Sequence, residues 1–118
     1  MDTVFKELKK LSSFTLSLPD DDIGYYKILG LTQSVSMKSG LVCLQPGENV
    51  GSHNTCEHEE LIIVLSGIGE VEIEGFGRKP VIENSVTYIP PDTQHNVYNA
   101  NHKPLRYIYV ASGVSEKV

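Results

Sequence analysis

No apolar run in this 118-residue chain approaches the length that crosses a bilayer, and residues 1 to 13 lack the apolar centre of an export signal. A membrane partner is excluded on that reading, and a cytoplasmic location is expected. Basic residues are also scarce. Ten Lys and Arg against fifteen Asp and Glu leave a net charge of −5. With no basic stripe to neutralise phosphates, no nucleic-acid partner is expected. Lys6, Lys9 and Lys10 form the only basic cluster, which reads as the wet face of a short helix. Cysteine is limited to Cys43 and Cys56. Both are expected to be reduced: Cys43, inside "LVCLQ", as a packed core residue, and Cys56 as an inert loop thiol. Apolar and charged fractions of 40% and 21% are those of a folded domain and argue against disorder.

What is present is a succession of short apolar runs. The length allows one core and not two, so residues 1–118 are read as a single domain. Val4, Phe5, Leu8 and Leu11 stand at helical spacing and predict a short N-terminal helix. Beyond it the period drops to two. "FTLSL" alternates cleanly, and Pro19 with Asp20 to Asp22 marks a turn. "YYKIL", "QSVSM", "LVCLQ", "ELIIVL", "EVEIE", "SVTYI", "HNVYN" and "LRYIYVA" follow as β-like runs. Turn residues separate them, among them Pro46-Gly47, Ser66-Gly67, Gly75-Phe76-Gly77 and Pro90-Pro91-Asp92. Short strands with turns at this spacing predict an all-β sandwich or barrel.

One polar window leads directly into an apolar strand. "GENVGSHNTCEHEELIIVLSG", residues 47 to 67, holds His53, Cys56, Glu57, His58, Glu59 and Glu60. Residues two apart on a strand share a face. A strand beginning at His58 therefore puts His58, Glu60, Ile62 and Val64 on one side, and Leu61, Ile63 and Leu65 on the other. Both sides are apolar, which makes it a central strand. A glutamate pointing into such a core is costly unless something neutralises it, and a metal ion would. A one-residue slip would exchange Glu59 for Glu60. By contrast, Glu70, Glu72 and Glu74 alternate with Val71 and Ile73 as on a half-exposed strand, and are read as solvated.

A matching feature comes thirty-five residues after Glu60. In "IPPDTQHNVYN", Pro90 and Pro91 end one strand, Asp92 and Thr93 turn, and His95 opens the next. Strand ends distant in sequence become neighbours in a small antiparallel barrel, so His53, Glu60 and His95 can converge at its mouth.

These two stretches resemble the paired motifs of the cupin superfamily, whose first motif reads G-x5-H-x-H-x3–4-E-x6-G. Gly47, His53, Glu60 and Gly67 fall on it. The second reads G-x5-P-x-G-x2-H-x3-N. Pro90, His95 and Asn99 match, while Asn84 and Asp92, two turn formers that tolerate positive φ, stand at the glycine positions. The resemblance covers roughly residues 40 to 110 and implies a jelly-roll barrel, the double-stranded β-helix of RmlC-like proteins.

The resemblance also implies a divalent transition metal (Fe, Mn, Ni, Zn or Cu) bound by His53, Glu60 and His95. One departure matters: the second histidine of the family's H-x-H is Thr55 here. Either His58 replaces it as a fourth ligand, or two histidines and one carboxylate act alone. Thr55 is expected to line the site through hydrogen bonds, and His102 to be solvated. Tyr107 and Tyr109 share a face with Leu105, and either line a ligand pocket or fill the core. The functional expectation is a small-molecule ligand or substrate held over the metal, with a dioxygenase- or isomerase-type activity. The alternative is a metal-free or weakly metal-binding module for a carbohydrate or other metabolite. A homodimer is expected, with Leu61/Ile63/Leu65 and the N-terminal segment as the interface.

Overall fold

The computed structural model describes residues 10–114, and the regular structure among them consists of nine β-strands and no helix. They are β1 (Tyr25–Leu29), β2 (Met37–Leu44), β3 (His53–Asn54), β4 (His58–Ser66), β5 (Ile68–Ile73), β6 (Gly77–Ile82), β7 (Val86–Ile89), β8 (Gln94–Tyr98) and β9 (Leu105–Gly113). All pairings are antiparallel. One sheet runs β1-β2-β9-β4-β7 and the other β3-β8-β5-β6.

The two sheets face one another as an all-β jelly roll. Val42, Leu44, Ile62, Val64, Leu105 and Tyr107 from the first sheet meet Val71, Ile73, Val81 and Val97 from the second in one core. Strand β4 shows how the sequence achieves this. Ile62 and Val64 are 1% and 2% exposed, while Leu61 on the opposite face is 39% exposed. The strand lies between β9 and β7, the central place that its two apolar faces predict. On β5 the carboxylates point outward: Glu70 pairs with Arg78 and Glu72 accepts a hydrogen bond from the Tyr98 hydroxyl. Both partners are at the surface, as expected for a half-exposed strand.

Turn chemistry fixes the corners. Asn84 and Asp92 both adopt positive φ, 68° and 48°, the backbone that a glycine would otherwise supply. Gly67, at φ 92°, is required twice over, because a Cβ there would lie 2.4 Å from the Pro104 carbonyl oxygen.

Three expectations need correction or fall away. The helix expected over residues 4–11 lies mostly outside the described residues, and Leu11 sits in irregular chain. "FTLSL" (residues 14–18) forms no strand despite its alternation. It has no β-ladder partner; its neighbour Pro19 accepts a hydrogen bond from Arg106 of β9 instead. "QSVSM" is a turn, and only Met37 enters β2: Gln33 and Ser34 use side chain and backbone to bond back to Gly30. Strand β6 was not anticipated, since Pro80 argues against a strand. An edge strand tolerates proline, and β6 is at the edge of its sheet.

Candidate metal centre

The two histidines are delivered by neighbouring strands. Strand β3 is only two residues long and pairs with β8 so that His53 lies opposite His95. Directly opposed residues project to the same face, and the two imidazole centroids are 4.1 Å apart. Each ring is held from behind. His53 Nδ1 bonds the Gly51 carbonyl at 2.9 Å, and His95 Nδ1 bonds that of Thr93 at 3.0 Å. A carbonyl can only accept, so Nδ1 is the donor in both rings, which in the neutral imidazole leaves Nε2 its lone pair. That is how metal-ligating histidines are commonly oriented.

Glu60 reaches the same point from the opposing sheet. Its inward parity is the one expected. Its neighbour Glu59 turns outward and accepts a hydrogen bond from Tyr88, which resolves the choice between the two glutamates. Donor atoms of His53, Glu60 and His95 all lie within 4.8 Å of one another. His95 is 2% exposed, and its Nε2 is a buried nitrogen with no hydrogen-bond partner. The nearest acceptor, Glu60 Oε2, is 3.7 Å away, too far for a hydrogen bond.

Burial is the largest influence on His95 and lowers its pKa. The Glu60 carboxylate and the Thr93 carbonyl more than offset it and hold the pKa above the ordinary value. An orphaned buried lone pair beside a second imidazole and a carboxylate fits a divalent cation: the ion supplies the missing partner and neutralises the inward glutamate.

Thr55 does hydrogen-bond and line the site, in a specific way. Its hydroxyl donates to the Pro90 carbonyl at 2.7 Å and accepts from the Thr93 amide at 3.0 Å. The Thr55 amide bonds the Thr93 carbonyl as well. The residue in the place of the family's second histidine is thus a clasp tying the two motif loops together. Asn99 plays a similar part at the far end of β8, donating to the carbonyls of Leu44 and Lys103.

A cavity of about 450 Å³ opens beside the cluster. His58 and Glu60 both line it, in keeping with their shared parity, but His58 does not join the three-donor cluster. Cys56 is exposed on the neighbouring turn at φ 55° and Cys43 is buried; neither forms a disulfide. His102 lies in an exposed loop. Tyr107 and Tyr109 line the cavity, and Tyr107 also belongs to the core. Three polar lining residues have no counterpart in the sequence reading, Tyr25, Lys38 and Asn54. Parity along β2, counted back from Val42, places Lys38 inward, but "QSVSM" reads in the sequence as a separate strand and hides that register.

The cupin domain family model matches residues 40–111, well over half of the chain. The chain belongs to the cupin family. This cupin is 36% identical over 72 residues to mannose-1-phosphate guanylyltransferase RfbM of Salmonella typhimurium. The match takes in 61% of the cupin and 15% of that relative, so the chain spans a small fraction of the relative's length. Among solved structures it is similar to an RmlC-like cupin of double-stranded β-helix fold from Methanocaldococcus jannaschii. There the TM-score is 0.73 at 16% identity, covering 86% of the cupin and 91% of that chain. A sugar phosphate isomerase of the cupin superfamily from Silicibacter pomeroyi superposes with a TM-score of 0.63 at 20% identity, over 77% and 60% of the two chains. At these identities the structural likeness establishes the fold.

Proposed function

We propose that this cupin binds one divalent transition metal through His53, Glu60 and His95, and holds a small polar organic molecule over it. The observation that carries the reading is the unpartnered Nε2 of buried His95, aimed at His53 and Glu60. A divalent ion there supplies Lewis-acid polarisation of a ligand oxygen. The chain's own part is to hold both imidazoles through Gly51 and Thr93, and to leave the cavity side of the cluster open. His58 lines that side, where it serves as a further ligand or bonds the bound molecule. Small oxygen-rich anions are favoured because the names of two similar proteins, a mannose-1-phosphate guanylyltransferase and a sugar phosphate isomerase, both refer to sugar phosphates. An isomerase-type reaction is preferred to oxygen chemistry because one of the two is named a sugar phosphate isomerase.

The test is elemental analysis of tag-free protein purified without added metal or chelator. About one equivalent of Fe, Mn, Ni, Cu or Zn per chain is expected for three or four protein donors. His53→Ala and His95→Ala should each lose most of it while keeping a β-type circular dichroism spectrum; His58→Ala should lose much less. Wild-type protein that neither carries nor takes up these metals would leave a metal-free binding barrel, and full metal content in His95→Ala would remove the site itself.

A further inference from the structure

The sheet that carries Glu60 and faces the two histidines brings several hydrogen-bond donors to the cavity. On the inner face of the five-stranded sheet, β2, β9 and β4 run in register as three rows: Lys38–Ala111–Glu60, Gly40–Tyr109–Ile62 and Val42–Tyr107–Val64. In the first row only the methyl group of Ala111 separates Lys38 from Glu60. Two strand spacings put these residues about 10 Å apart at their backbones. Lys38 lines the cavity and has no carboxylate within ion-pair distance among the described residues.

In the second row the missing side chain of Gly40 is a seat. A Cβ there would lie 2.7 Å from the ring edge and the hydroxyl of Tyr25. Tyr25 stacks against Tyr109 at 6.4 Å between centroids, and their hydroxyls are hydrogen-bonded at 2.8 Å. One hydroxyl donates to the other, so the pair keeps one proton to offer a ligand.

In the third row Tyr107 is 3% exposed and lines the cavity, and its hydroxyl has no hydrogen-bond partner among the described residues. Burial pushes the pKa of both Tyr107 and Tyr109 up, with the Glu60 charge adding to it, so both phenols remain donors. Val42, Leu44, Val50 and Val97 add an apolar part to the lining, and His53, Asn54, Thr55 and His58 a polar one.

We propose that Lys38, Tyr107 and the Tyr25–Tyr109 pair bind the organic half of the ligand, and that this ligand is a small hydroxylated oxyanion with its acid group at Lys38. The inference rests on the metal-bound reading above for the position of the ligand's other end. Donors that open on the cavity without an acceptor from the protein suit a molecule rich in acceptors. Lys38 is the one lysine or arginine in the cavity lining, and a divalent ion at the histidines would offset the Glu60 carboxylate, so an acid group on the ligand is best held at Lys38. The Tyr107 hydroxyl, two rows deeper in the barrel than Lys38 and Glu60, donates to a ligand oxygen at the inner end of the cavity. The cavity volume suits a metabolite of sugar phosphate size and is too small for a polymer end of several units.

Calorimetric titration of the full metal-loaded chain tests this with three probes: mannose 1-phosphate, free mannose and inorganic phosphate. Mannose 1-phosphate is expected to bind more tightly than either fragment. Lys38→Met, which keeps the stem, should weaken mannose 1-phosphate and phosphate by about tenfold or more, and leave free mannose unchanged. Tyr107→Phe, which removes one oxygen, should weaken mannose 1-phosphate by roughly fivefold to tenfold. Lys103→Met, at a surface loop away from the cavity, is the control and should change nothing. Metal content is measured in every variant and should match wild type in all three. Metal lost from wild type would count against the metal reading alone, since the Lys38 effect on phosphate is still measurable on that protein. Absence of binding by both phosphate probes to loaded wild type, or equal affinities in wild type and Lys38→Met, would overturn the oxyanion proposal.

Discussion

Thr55 occupies a position where a side chain could serve the metal or the fold, and in this chain it serves the fold. Its hydroxyl is both donor and acceptor, and the two backbone groups it satisfies belong to the loop that delivers His95. Thr55→Val keeps the shape and removes both bonds, leaving the Thr93 amide and the Pro90 carbonyl short of a partner. The expected loss is about 1–3 kcal/mol of unfolding free energy, read from urea denaturation of the metal-free protein. Metal content should persist in the folded fraction, because no ligand atom is removed. A Thr55→Val protein as stable as wild type would show that the clasp is not needed to hold the second loop.

At the level of strands and turns, glycines that both adopt positive φ have unequal importance. Gly67 joins β4 to β5 at φ 92°, with the Pro104 carbonyl and Leu105 Cα pressed against it. Gly75 sits at the tip of the β5–β6 hairpin at φ 78° with open space around it. Alanine at Gly75 meets only the left-handed backbone penalty, about 1 kcal/mol. Alanine at Gly67 adds a steric clash with main chain that cannot move aside, and should cost roughly 3 kcal/mol or more. Equal midpoints for the two variants in urea would contradict the argument. The strands that carry strong apolar alternation and bounded turns, β4, β5, β8 and β9, were legible in the sequence, and so was the convergence of His53, Glu60 and His95. Local patterning was not enough for residues 14–18, which alternate but find no ladder, or for β6, whose edge position excuses Pro80. The cavity's donor wall was hidden for a different reason: Lys38, Tyr25 and Tyr107 meet only through the β1-β2-β9 order, and pairing between distant strands leaves no mark on either one alone.

The molecule as a whole leaves apolar surface uncovered along one side. Leu61, Val86 and Tyr88 are 39%, 61% and 53% exposed, and they lie on the outer face around β4 and the short edge strand β7. A second copy covering this face, together with the N-terminal segment, is the expected arrangement. Light scattering at micromolar concentration should then give twice the 13.0 kDa of one chain. A monomeric mass would end that expectation. Because Leu61 and Glu60 are adjacent on β4 and face opposite ways, Leu61→Lys should dissociate the dimer without emptying the metal centre.

The β5–β6 hairpin described above has a further use. None of its residues lines the 450 Å³ cavity, its register is held by pairings from Ile68 opposite Ile82 to Ile73 opposite Gly77, and its tip at Gly75 and Phe76 stands in solvent. The barrel therefore has a splice point. A reporter peptide or a whole guest domain inserted there would be carried on a stalk stiffened by its own ladder and outside the cavity. Because Ile73 pairs with His95, it would stand beside the end of the barrel that bears the histidines.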